Sequence, residues 1–348
     1  MITTLWLAVV LVCFLMYVVL DGYDLGVGVA TLFERDATHR RHMLESVARA
    51  WDGNETWLIL LGVGLWAGFP LAFGTILPHA YLPLIVVLFS LITRGVSVEM
   101  ASQSPPGHRW TTAFGVASLL ASFGQGFALG TLTSALHLRG GVFTGPAFGA
   151  FNWFCVLTGC TVTAAYTALG YAYTKLKSSG RLRETVARRG VVATAVAGGL
   201  VVAVLFAVNA TAAPLNLDSP GRAFAFGGLL LFAAAAGGTS LVTFPWKRQS
   251  GPADTLPIGG LIVATVSTFL ALGVARYPVL VPPGLTVSSA VSPHDTMVFI
   301  LVGIGLNMPL VLGYNVFAHR AFAGKSDAGL HTDEPPTAES LVVTGAQS

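Results

Sequence analysis

The run TTLWLAVVLVCFLMYVVLDGYDLGVGVATLF (residues 3–33) decides the fold. Residues 3–20 carry no charge at all, and a helix that spans a bilayer needs about 20 mostly apolar residues. Asp21 and Asp24 follow, and apolar sequence then resumes from Leu25 to Phe33. No basic segment opens the chain and no small-residue cleavage site precedes Asp21, so the run reads as a retained first helix rather than a removed signal peptide.

Eight further stretches have the same character: 54–74, 78–100, 111–136, 148–174, 190–212, 222–244, 256–276 and 296–319. The fold class is therefore an all-α integral membrane protein with about nine transmembrane helices. Composition agrees. The 348 residues are 54% hydrophobic and 10% charged, whereas soluble domains carry about a quarter charged residues. Lys and Arg fall in short loops rather than along one helical face, so a nucleic-acid partner is not expected. Cys13, Cys155 and Cys160 lie in apolar runs without metal-ligand spacing and read as helix-packing residues.

Loop charge sets an expected orientation. Of the 19 Lys and Arg, all but Arg139, Arg222 and Arg276 lie in or beside the loops after the odd-numbered stretches. The run from Lys175 to Arg189 is the densest. The N-terminus is therefore expected outside and the C-terminus inside. Residues 277–295 are too polar to span. Residues 1–325 read as one polytopic domain, with 326–348 as a disordered cytoplasmic tail.

Charged side chains inside a bilayer are costly and mark function by default. Asp21 and Asp24 are three apart and share a helix face, or they mark a helix break. Gly22 and Gly26 form a small-xxx-small pair that admits a neighbouring helix. In Trp51-Asp52-Gly53-Asn54-Glu55-Thr56-Trp57, Asp52 and Glu55 fit a capping box between two interfacial tryptophans; they equally fit proton handling. Arg94 and Glu99 fit a structural ion pair. With the expected orientation, Asp21, Asp24, Asp52, Glu55 and Glu99 all belong to the inner half, as a proton or cation pathway would require. Gln125 in Gly124-Gln125-Gly126 reads as an interhelical hydrogen-bond donor. No His faces another His or Met at mid-membrane in this reading, so a haem bound directly by this chain is not expected.

These blocks resemble a known family. D-G-Y-D-L-G-V-G (21–28) and W-D-G-N-E-T-W-L (51–58) look like the N-terminal signature of subunit II of cytochrome bd quinol oxidase. R-G-V-S-V-E (94–99), G-Q-G-F-A-L-G (124–130) and N-M-P-L-V-L-G-Y-N (307–315) are similar to further blocks, particularly of its cyanide-insensitive branch. Ser97, Val98 and Met100 depart from the family pattern. The resemblance implies nine helices in two four-helix bundles plus a peripheral helix, and a haem-free chain. Haems b and d and the quinol site would lie in a partner, subunit I, of a bacterial cytoplasmic-membrane complex that oxidises quinol and reduces oxygen to water. It also implies that Asp52 serves cytoplasmic proton uptake, with Asp21 and Asp24 as the acidic pair beside it. A structural quinone and a small accessory subunit occur in such complexes; no motif here places either. Without the resemblance, a stand-alone proton- or cation-coupled transporter uses the same residue types.

Overall fold

The computed structural model describes residues 2–105, 109–133, 138–139, 142–143, 151–211, 215–247, 251–282 and 284–321. The tail assigned to 326–348 lies outside the described residues. In chain order the helices are α1 (Ile2–Leu32), α2 (Ala37–Val47), α3 (Trp51–Gly68), α4 (Pro70–His79), α5 (Tyr81–Ser102) and α6 (Arg109–Thr133). They continue as α7 (Trp153–Lys177), α8 (Gly180–Ala207), α9 (Pro220–Thr243), α10 (Pro252–Arg276), α11 (Val287–Ala290) and α12 (His294–Ala321). Two short antiparallel hairpins, Leu138–Arg139 with Val142–Phe143 and Val279–Val281 with Leu285–Thr286, sit in connections.

Eight described helices are long and apolar enough to cross a membrane: α1, α5, α6, α7, α8, α9, α10 and α12. The expected second span, 54–74, is not one helix. Pro70 cannot donate to the helical ladder, and Phe69 leaves helical geometry at φ −133° and ψ 60°. Neither piece is among those eight; α3, whose 18 residues extend about 27 Å, opens on the polar turn that holds Asp52. It runs antiparallel to α1. At one end the Trp6 indole N–H donates to Gly64 O at 3.2 Å, and at the other Asn54 Nδ2 donates to Asp24 Oδ2 at 2.8 Å. The α3 carbonyls freed by the break are met from far along the chain. Ser292 N donates to Gly68 O at 2.9 Å, and Ser292 Oγ to Ala67 O at 2.7 Å.

The helices fall into two groups of four, α1, α3, α5, α6 and α7, α8, α9, α10, joined where α7 packs on α1 and α6. The α1–α7 crossing is backbone on backbone. A Cβ on Gly26 would collide with the Tyr166 carbonyl, and one on Gly170 with the backbone of Gly26 and Val27. Helix α12 is peripheral, touching α1 and α3 while Phe299, Leu306, Leu310 and Phe317 stay exposed.

The connection 33–53 is mostly helix. Asp36 caps α2, accepting from Thr38 N at 2.8 Å and His39 N at 3.1 Å. Arg41 ties α2 to the end of α5 through the Ser102 and Ser104 carbonyls.

The basic run 175–189 is likewise not a loop. Helix α7 reaches Lys177 and α8 begins at Gly180 (φ +56°). Lys175 and Arg183 are buried. Lys175 Nζ donates to Thr243 O at 3.1 Å and Ala253 O at 3.0 Å. Arg183 Nη1 donates to Lys175 O at 2.7 Å and pairs with Asp254 at 2.5 Å. Two cations read as loop charge instead clamp the α7–α8 turn to the end of α9 and the start of α10.

Candidate functional site

The site lies at the α2 end of the first helix group. Helix α1 passes unbroken through Asp21 and Asp24, which rules out a helix break there. Both side chains are buried, at 0% and 1% exposure. The cation that answers them is Arg94 on α5, whose side chain has no exposed surface. Its Nη1 lies 2.5 Å from Asp21 Oδ1, and its Nη2 lies 3.0 Å from Glu55 Oε2. One guanidinium thus joins α1, α3 and α5. The indole of Trp51 covers it, with the guanidinium carbon 5.4 Å from the ring centroid.

Arg94 does not pair with Glu99. Five residues along a helix turns the side chain by about 140°, off the shared face that three- or four-residue spacing gives. Glu99 is exposed and accepts from Gln103 Nε2 at 3.1 Å.

Asp24 is held from α3. Asn54 Nδ2 donates to Asp24 Oδ2 and, at 2.9 Å, to the Tyr23 hydroxyl. The Tyr23 ring stacks on Tyr173 with centroids 4.3 Å apart. Deeper along α1, Gln125 Nε2 donates to Tyr17 OH at 2.6 Å, and Tyr166 OH donates to Gln125 Oε1 at 3.3 Å. Gln125 does bridge helices as read, through two tyrosines.

Asp52 lies outside this buried set. The α3 N-cap is Ala50, with no side-chain capping bond, so the expected capping box is not formed. Asp52 is exposed in the first turn and Glu55 is half-buried one turn on. Both line a cleft of about 390 Å³ between α3 and α5, with Trp51, Ile59, Ile92 and Val96 among its walls. Trp57 is fully buried and packs with Cys13 and Tyr17; it is a core residue, not an interfacial anchor.

Of the five carboxylates, Asp21 and Glu55 meet on Arg94, Asp24 sits behind them, Asp52 opens on the cleft and Glu99 stands apart. Asp21 Oδ2, Asp24 Oδ1, Asn54 Oδ1 and Ser97 Oγ are buried without a protein hydrogen-bond partner. Buried polar atoms are ordinarily satisfied, so this cluster differs in kind from the apolar packing around it.

Among the described residues no three His, Cys, Asp or Glu side chains stand as a metal-holding group. The described buried histidines, His42 and His79, lie toward opposite ends of α5, whose 22 residues extend about 33 Å. They cannot serve one haem as a ligand pair.

The chain matches the family model described as cytochrome bd terminal oxidase subunit II over residues 2–322. It belongs to that family. This subunit II chain is 28% identical over 360 residues to cytochrome bd-I ubiquinol oxidase subunit 2 of Escherichia coli (strain K12), covering 92% of this chain and 94% of that one. It is 30% identical over 192 residues to cytochrome bd ubiquinol oxidase subunit 2 of Bacillus subtilis (strain 168), covering 51% of this chain and 54% of that one. Its fold is that of a chain in the structure of bd oxidase from Geobacillus thermodenitrificans. The TM-score is 0.74 at 13% identity, over 92% of this chain and 98% of that chain. The subunit II chain is thus a multi-pass membrane protein of a bacterial respiratory oxidase family.

Reading the sequence missed Tyr17, Tyr23, Tyr166 and Tyr173 as members of the site. A signal was present for Tyr23, which stands between the two aspartates. Tyr166, Gly170 and Tyr173 on α7 recur at helical spacing, which gives a shared face but not what that face meets.

Proposed function

We propose that this chain is the haem-free partner of a haem-bearing subunit I in a quinol:oxygen oxidoreductase, and that its Asp52–Glu55 cleft takes up protons from the cytoplasm. The chain itself is not catalytic in this reading; it supports assembly and proton delivery. The naming of the Escherichia coli and Bacillus subtilis relatives as ubiquinol oxidase subunits supports the assignment. The loop-charge asymmetry supports the cytoplasmic side.

The observation that carries the proton reading is the cleft. Asp52 is exposed and Glu55 half-buried on a face where Ile59, Ile92 and Val96 are 64%, 54% and 49% exposed. An apolar face of this kind suits hydrocarbon or a protein partner, but carboxylates do not suit hydrocarbon. A partner helix and water over the cleft satisfy both. Glu55 follows Asp52 by three residues, on the same face of α3, so a proton arriving at Asp52 has an acceptor one turn deeper.

The test is Asp52→Asn in the complete oxidase. It keeps shape and removes the exchangeable proton. Assembly, read from haem absorption of the purified complex, is expected to persist, with quinol-driven oxygen consumption slowed. Unchanged oxygen consumption in the assembled variant refutes the role.

A further inference from the structure

The proton reading above leaves open how far into this chain the route extends. With Glu99 apart, the four remaining carboxylates invite treatment as one relay, but Arg94 divides them. In front of it, on the cleft, stand Asp52 and Glu55. Behind it stand Asp21 and Asp24, at 0% and 1% exposure. We propose that Arg94 ends the proton route within this chain, positioning Glu55 at the cleft and barring Asp21 and Asp24 from proton exchange with it.

A relay requires each member to accept a proton on one side and release one on the other. A guanidinium has five N–H donors, no acceptor, and keeps its proton in proteins. Arg94 donates in both directions, to Asp21 Oδ1 at 2.5 Å and to Glu55 Oε2 at 3.0 Å. The hydrogen-bonded line is continuous through it, but proton transfer is not. A fixed positive charge between the two pairs also repels a hydronium, as arginine does in pores that pass water and reject protons.

Arg94 is held from both sides. Trp51 covers the guanidinium, and the indole is itself seated against Gly95, where a Cβ would lie 2.9 Å from the ring. Asp21 holds the other side. The titratable groups that face Arg94 come from two neighbouring helices: Tyr17, Asp21 and Asp24 on α1, and Glu55 on α3, with Asp52 beyond Glu55. In this arrangement Asp21 is the counter-charge that fixes Arg94. Asp24, tied to Asn54 and Tyr23, belongs to the sealed interior.

The proposal rests on the proton reading, and four further variants of the complete oxidase, set beside Asp52→Asn, separate the two. Haem content per complex controls for assembly, and quinol-driven oxygen consumption is followed across the neutral pH range. Glu55→Gln is expected to lose about tenfold or more, as removal of a proton-transfer group does. Asp24→Asn is expected to stay within about twofold with the same pH profile, because its amide oxygen still accepts from Asn54. Arg94→Lys is expected to move the pH profile, since a point charge cannot fork to two carboxylates. The Arg94→Lys/Glu55→Gln double variant should then show the Glu55→Gln profile, as a positioning role requires.

The proposal is overturned if Asp24→Asn loses as much as Glu55→Gln, or if assembled Arg94→Lys leaves the profile unmoved. It is also overturned if Glu55→Gln has no effect while Asp52→Asn slows turnover. If Arg94→Lys does not assemble, the comparison of Asp24→Asn with Glu55→Gln decides alone. If Asp52→Asn and Glu55→Gln both leave turnover unchanged, the proton reading itself fails.

Discussion

Substituting Gly26 by Ala tests the frame that holds the site. Helices α1 and α7 meet there with no side chain between them. A Cβ on Gly26 would overlap the Tyr166 carbonyl and stand 2.9 Å from the Gly170 nitrogen. Both obstacles are helical backbone, so no rotamer change relieves the clash and the helices must separate. Overpacking of this kind costs about 1–3 kcal/mol. Opening the interface by about 0.5–1 Å forfeits a quarter to a half of each dispersion contact along it. Alanine returns up to about 1 kcal/mol in helix propensity, so with a backbone clash at the upper end of the overpacking range the net loss is roughly 2 kcal/mol. Gly62→Ala on α3 is the matched control, because nothing lies within 4 Å of its Cβ position and only the propensity gain remains. Thermal unfolding of the detergent-purified complex should place Gly26→Ala several degrees below the unmodified protein and Gly62→Ala level with it or above. Turnover should fall in Gly26→Ala as well, since α1 carries Asp21 away from Arg94. Equal melting of the two variants would refute the claim that backbone contact at this crossing sets the α1–α7 distance.

Two further outcomes follow from cations and caps away from the cleft. Lys175→Met keeps the buried volume but removes the donor to the Thr243 and Ala253 carbonyls. At about 1–3 kcal/mol for each buried acceptor left unmet, the melting temperature should drop and proteolysis at the α9–α10 turn should rise. Asp36→Ala removes the α2 cap, a loss of about 1 kcal/mol that should appear as faster amide exchange at Thr38 and His39. The His39 and Thr38 backbone N–H groups hold the Asp36 carboxyl below the usual carboxylate range. In the unmodified protein this contribution is therefore full above the ordinary Asp value and disappears only as pH falls through the lowered one.

The spans were legible because lipid imposes length and polarity together, and α1, α9, α10 and α12 fall within a few residues of the stretches read from the sequence. The second stretch was misread because hydropathy does not register a proline break between two apolar segments. Its polar first turn, which looked like a cap, is α3 already under way. Lys175 and Arg183 were misread for a different reason. Loop-charge counting assumes that cations near a helix end are hydrated, whereas these two satisfy carbonyls and Asp254 inside the bundle. At the site, Asp21, Asp24 and Glu55 were legible as expensive residues. Their counter-ion was named with the wrong partner, because the choice among Asp21, Glu55 and Glu99 depends on how α1, α3 and α5 are set together. That arrangement depends on glycines such as Gly64, Gly68 and Gly95, whose effect is to let Trp6, Val10 and Trp51 come near.

The Ser292 contacts with Ala67 and Gly68 bear on how the chain is made. Synthesis runs from the N-terminus, so α3 is inserted long before its final two carbonyls meet their donors, which arrive 225 residues after Ala67. Until then an open helix end persists where protein partners are scarce and unmet polar groups are costly. A nascent chain that stops short of Ser292 can contain α1 to α10 in full and still carry this flaw at its oldest hairpin. Arrival of the segment that precedes α12 is thereby registered near the beginning of the chain, at the far end of its first helical hairpin.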